Sequence, residues 1–96
     1  MFVYFISAFG EQHLKRIKIG YSRDPLERLQ KLQTGSPVKL ELLGTVKCRD
    51  DSHARSVEKL AHNLFYKQRR RGEWFHLSRK HLGQIKSLIE KAATIP

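Results

Sequence analysis

Four side chains of this 96-residue chain have the chemistry that hydrolysis of a phosphodiester needs: Tyr4, Lys18, Arg28 and Glu58. Breaking such a bond takes a group that activates or positions water. It also takes cations to stabilise charge building on phosphorus and on the leaving oxygen. A tyrosine hydroxyl can position water, and it can serve as a base where nearby cations lower its pKa from about 10. Lys18 is a candidate for that effect, or for a direct contact with phosphate. The planar fork of Arg28 suits phosphate oxygens. Glu58 alone could hold Mg²⁺, which keeps several waters and draws its remaining ligands from substrate. Each residue also has a plain structural reading. Tyr4 could be a core tyrosine, Arg28 a solvated arginine or a partner of Glu27 or Glu41, and Glu58 an exposed partner of His62 or Arg55.

These residues fall on recognisable elements. Residues Phe2 to Ala8 are aromatic and β-branched, as in a buried strand. A polar connection over 9–14 contains Gly10. Ile17, Ile19 and Tyr21 then alternate with Arg16, Lys18 and Gly20, the period of two of a half-buried strand, so an antiparallel hairpin is expected. Tyr21, three residues from Lys18, points to the opposite face.

Asp24-Pro25-Leu26-Glu27 reads as a helix start, with Asp24 as N-cap, Pro25 in the first turn and Glu27 completing a capping-box-like pair. Leu26, Leu29 and Leu32 form its apolar stripe, with Arg28 about 100° away on the flank. Thr34-Gly35-Ser36-Pro37 ends the helix. Val38 to Val46 reads as a third strand, weakened near Gly44. Asp50-Asp51-Ser52 offers caps for a second helix, whose Val57, Leu60, Ala61, Leu64 and Phe65 match the amphipathic template. Glu58 lies about 90° off that stripe, with His62 one turn later beside it. A basic segment, Lys67 to Arg71, leads through Gly72-Glu73 to Trp74-Phe75, a short strand or turn. Ser78 caps a last helix facing inward with Leu82, Ile85, Leu88 and Ile89. The order implies one α+β domain over 1–96, a small three-stranded antiparallel sheet flanked by helices.

Lys plus Arg number 19 against nine Asp plus Glu, a net charge of +10. That excess points to an acidic polymer as partner, because cationic side chains displace condensed counterions from phosphates. Lys15, Arg16, Arg23, Lys67, Arg69, Arg70 and Arg71 are the candidates for backbone contacts, which position a protein without reading sequence. Trp74 and Phe75 either stack on bases or pack the last helix. Cys48 is the only cysteine, which excludes an intrachain disulfide and a cysteine-based zinc site and suggests a reducing, intracellular setting. The apolar opening run is too short for about 30 Å of hydrocarbon, so no membrane partner is expected. In a prokaryotic or phage context the place would be the cytoplasm, at the nucleoid.

Val3-Tyr4-Phe5-Ile6, Lys18-Ile19-Gly20-Tyr21-Ser22, Asp24-Pro25 with Arg28-Leu29, Leu32-Gln33-Thr34-Gly35-Ser36-Pro37, Glu58 with His62 and Phe65, and Arg69 with Gly72-Glu73-Trp74-Phe75 occur in that order. Together they resemble the GIY-YIG nuclease superfamily, closest to its small stand-alone branch among phage and meiotically up-regulated gene products. The resemblance covers residues 2 to about 78. It implies an α/β sandwich and a Mg²⁺-dependent endonuclease acting on DNA, with Mn²⁺ as the substitute ion. Tyr4 would act as base or position the water, Arg28 would stabilise the transition state, and Glu58 would anchor the metal. Gly20, Gly72, Trp74 and Phe75 would be structural parts of the motif. Two departures stand out. Lys18 replaces the second tyrosine of the motif, and no asparagine follows Glu58 at a suitable distance, Asn63 being too close. His62 occupies the branch's own histidine position, in a supporting role. The alternative is a catalytically weak or inactive nucleic-acid-binding module on the same fold.

Overall fold

The computed structural model describes residues 1–8 and 15–94, with side chains described for 1–8 and 16–91. The connection expected over 9–14 and the Lys15 side chain lie outside the described residues. The elements are β1 (Phe2–Ala8), β2 (Lys15–Ser22), α1 (Pro25–Thr34), β3 (Leu40–Lys47), α2 (Asp51–Leu64), β4 (Arg69–Arg71), β5 (Trp74–Leu77) and α3 (Arg79–Thr94), with a short 3₁₀ turn at Tyr66–Gln68.

The α+β class holds, but the sheet has five antiparallel strands in the order β3-β1-β2-β5-β4, not three. The two extra strands come from the segment around Gly72. Trp74–Leu77 extends the sheet by pairing Lys15↔Leu77 through Lys18↔Trp74, and Arg69–Arg71 adds an outer edge on β5. Three exposed arginines on that edge disfavour pairing with a further strand.

Alternation along β1 divides the interior. Val3 and Phe5 face one side, with Ile17, Ile19, Phe75, Ala61, Phe65 and Ile85, under α2 and α3. Tyr4, Ile6 and Ala8 face the other, with Leu40 and the partly buried Leu29, Leu32 and Trp74, beside α1. Trp74 therefore does not pack the last helix; Phe75 does, from the opposite side of the same strand. Tyr21 packs on the α2/α3 side, opposite Lys18, as the strand period requires.

Helix α1 starts as the sequence indicates, with the Asp24 carboxylate accepting from the Glu27 backbone N–H at 3.1 Å. Two apolar stripes differ from expectation. Leu26 is 63% exposed, because only Leu29 and Leu32 of α1 reach the sheet. On α2, Leu60 and Leu64 are exposed while Ala54, Ala61 and Phe65 are buried. The helix is rotated toward its small residues, which lets it lie close to β2, and that rotation carries Glu58 and His62 inward. In β3 the register shifts opposite Phe5/Ile6, skipping Leu43, which accounts for its imperfect alternation. Gly44 beside that bulge faces α3, where a Cβ would meet Ile89.

Candidate active site

The site forms where β2 runs past the end of β5. The β2–β5 pairing stops at Lys18↔Trp74, and one further backbone bond, from the Ile19 N–H to the Glu73 carbonyl (3.0 Å), fixes the residue before β5. Beyond that point this side of β2 has no strand partner among the described residues, and α2 closes the gap with side chains. His62 Nε2 lies 2.9 Å from the Ile19 carbonyl oxygen. A carbonyl only accepts, so this nitrogen carries a proton and donates it. The imidazole also stands edge-on against Phe75, with ring centroids 5.0 Å apart.

Tyr4 and Gly20 are directly opposed on β1 and β2, so the Tyr4 ring crosses the place where a side chain on residue 20 would stand. A Cβ there would lie 2.6 Å from the Tyr4 ring carbon Cζ and 3.1 Å from Glu73 Oε1. The absence of a side chain at Gly20 thus makes room for two groups at once, the phenol and a carboxylate that sequence reasoning did not select. Gly72, with φ +55°, turns the chain between β4 and β5 and delivers Glu73 to this position. Arg69 holds the turn by donating from Nε to the Gly72 carbonyl at 2.6 Å.

Lys18 shares the Tyr4 face and is nearly buried; its Nζ lies 3.2 Å from Glu73 Oε1 and 5.4 Å from the centre of the Trp74 ring. Glu58 reaches the same place from α2. One ligand atom from each of Glu58, His62 and Glu73 can be drawn within 4.8 Å of one another. Arg28, exposed on α1, stands near enough to the Tyr4 hydroxyl to lower its pKa. Of the two carboxylates considered as partners of Arg28, Glu27 pairs instead with Lys31 at 2.9 Å. A shallow cleft lined by Ser22, Arg23, Asp24, Glu27, Arg28 and Lys31 runs along the start of α1. The five expected residues Tyr4, Lys18, Arg28, Glu58 and His62 therefore converge, and Glu73 joins them.

The electrostatics separate their roles. Burial pushes the Tyr4 phenol above its ordinary value, Arg28 opposes this, and the Glu73 and Glu58 carboxylates add to the rise. The lowering expected from Lys18 is not found, because its ammonium is turned to Glu73. The Glu58 carboxyl is likewise raised, first by burial and then by Glu73, with His62 and Lys18 pulling the other way. Its Oε2 is buried without a hydrogen-bond partner, the one such side-chain atom among the described residues. A buried carboxylate oxygen left alone is costly. A divalent cation could satisfy it, and two carboxylates are the kind of hard oxygen donors that Mg²⁺ takes.

Of the residues expected to touch nucleic acid, Arg16, Arg23, Lys67, Arg69, Arg70 and Arg71 are exposed. Arg16 lies on the Tyr4 face opposite Ala8 and His76. Arg23 lines the cleft with Arg28. Arg69 is partly committed to the Gly72 turn. No helix among the described residues is long and apolar enough to cross a membrane.

The chain has no significant match among curated proteins or among solved structures. A family model, the T5orf172 domain, matches residues 1–92 and so takes in every strand, both helices of the site and all six converging residues. The chain is a member of the T5orf172 domain family.

Proposed function

We propose that this protein is a Mg²⁺-dependent endonuclease of GIY-YIG type that hydrolyses phosphodiester bonds of DNA. The observation that carries this reading is the partnerless buried Glu58 Oε2, set beside a second carboxylate on the patch that also holds Tyr4 and Arg28. Membership of a family associated with nuclease-related, DNA-binding proteins supports it, as does the net charge of +10.

A bound Mg²⁺, or Mn²⁺ in its place, supplies Lewis-acid stabilisation of the charge that builds at phosphorus and on the leaving oxygen. Glu58 holds that ion. Arg28 engages non-bridging phosphate oxygens through its planar fork. Burial raises the Tyr4 pKa and Arg28 opposes it; of the two roles expected for Tyr4, the burial favours positioning the attacking water over taking a proton. His62, donating its Nε2–H to the Ile19 carbonyl, orients rather than ligates. The exposed arginines hold the phosphate backbone without reading bases.

The test incubates pure protein with single- and double-stranded DNA, in Mg²⁺ or in chelator, alongside Tyr4→Phe, Arg28→Ala and Glu58→Ala. Cleavage that requires Mg²⁺ is expected, falling about 10²–10³-fold in each variant. Cleavage that survives all three substitutions would refute the assignment. Wild-type protein that binds DNA but does not cut it would favour the binding module, the reading to which the Lys18–Glu73 pair in place of a second tyrosine lends itself.

A further inference from the structure

We propose that Glu73 is a shared carboxylate: it holds the Lys18 ammonium while the site is free of metal and becomes the second ligand when a divalent cation binds, releasing Lys18 toward the substrate phosphate. This rests on the reading that Glu58 binds such an ion.

Three observations lead to it. First, the ligand set reduces to carboxylates. Glu58, His62 and Glu73 have ligand atoms within 4.8 Å of one another, but the His62 nitrogen that faces Glu58, Nε2 at 4.0 Å from its Oε1, has no lone pair to offer while it donates to Ile19. Two carboxylates remain, and one of them has an oxygen with no partner. Mg²⁺ sites commonly take one or two carboxylates, with waters and phosphate completing the octahedron.

Second, a cation already stands there. Lys18 Nζ is 3.2 Å from Glu73 Oε1, with 11% of the lysine side chain exposed. A single positive charge cannot balance two carboxylates and leaves Glu58 Oε2 unmet. Third, Lys18 has a contact that does not depend on Glu73. The Trp74 ring, its neighbour across β2 and β5, already lies 5.4 Å from the ammonium, and this cation–π attraction keeps Lys18 beside the site, with its N–H donors free for phosphate, once Glu73 turns to a metal. Glu73, over Gly20 and beside the Tyr4 ring, then holds the ion where Tyr4 and Arg28 meet substrate.

The consequence is a coupling between metal and substrate. Lys18 is engaged with Glu73 in the absence of metal and becomes available to phosphate only when the ion has arrived. Metal and DNA therefore bind with positive cooperativity, and reciprocally so.

Mn²⁺ binding to the full chain, measured by electron paramagnetic resonance without DNA, tests the exchange. Glu73→Gln is expected to weaken Mn²⁺ about tenfold, and Lys18→Met to tighten it about tenfold, since it removes the competing charge. In the double variant the Lys18→Met effect should shrink to about threefold or less, because its competition acts through Glu73. Lys18→Gln serves as the second probe of position 18, and thermal melts establish that each variant is folded. Unchanged affinity in Glu73→Gln, with affinity lost in Glu58→Gln, would overturn the shared carboxylate and leave the Glu58 site standing. Wild-type protein that fails to bind Mn²⁺, or binds it equally well as Glu58→Gln, would overturn the reading beneath it.

Discussion

Glu58→Gln is expected to raise the melting temperature at neutral pH while abolishing metal-dependent cleavage. The half-buried carboxylate lies near Glu73, and its buried Oε2 has no partner. The amide keeps the volume and removes the charge. The amide is unpaired at the same place, but a neutral buried group costs less than a charged one beside a second carboxylate, a difference of about 1 kcal/mol, which for a chain of this size corresponds to about 4–8 °C. The sign with pH follows from the raised folded-state value. Between the ordinary carboxylate range and that raised value, the native state binds more protons than the unfolded state, so wild-type stability falls as pH rises. The advantage of the glutamine variant should thus vanish in acid, where both forms are neutral, and open as pH increases toward 7. Mg²⁺ should reverse the order. It stabilises wild type by about 2.7 kcal/mol at a hundredfold excess over its dissociation constant and does nothing for the variant. Melts at two pH values with and without Mg²⁺ check all of this, and a variant less stable than wild type at neutral pH would count against it.

Gly20→Ala should be the most damaging small substitution in the sheet. The added methyl would stand 2.6 Å from the Tyr4 ring carbon Cζ and 3.1 Å from Glu73 Oε1. Tyr4 is 2% exposed, and its neighbours Ile6 and Leu40 are buried with it, so the ring has nowhere to retreat. Overpacking of this kind costs about 1–3 kcal/mol, and a shift of about 1 Å in a positioned group lowers turnover about a hundredfold. The two effects have one cause, so they respond together. In a Tyr4→Val background, where the ring is gone, Gly20→Ala should lose most of its effect on stability. A double-mutant cycle reads that coupling directly. An additive cycle would mean the methyl is accommodated some other way.

Local signals carry most of the fold up to α2. Alternation in β1 and β2, the Asp24-Pro25 start and the Gly35-Pro37 stop are all short-range, and each has its counterpart in the structure. What failed is non-local. Arg69–Arg71 has no apolar residue to alternate, so its pairing depends entirely on β5 and on the turn at Gly72. The α2 stripe spans more of the helix than the sheet covers. A wheel cannot tell whether leucines or alanines turn inward when close approach favours the small ones, and here Ala54 and Ala61 do.

The candidate site was legible as a set of residue types that the fold brings near one another, Tyr4, Lys18, Arg28, Glu58 and His62. Their couplings were not. Lys18 takes Glu73 rather than Tyr4 as its partner, and the burial that raises the Tyr4 pKa depends on packing of distant segments. Glu73 itself had a local signal, an acidic residue between a turn glycine and the Trp74–Leu77 strand that pairs beside Lys18. Only the register across β2 and β5 gives that signal meaning.

Crystals of the protein soaked in Mn²⁺ and measured at the manganese absorption edge would test the central claim most directly. An anomalous peak is expected about 2.0–2.2 Å from a Glu58 carboxylate oxygen, beside Tyr4 and Arg28. A well-ordered Glu58 with no peak within bonding distance, at millimolar Mn²⁺ and with the fold intact, would contradict it.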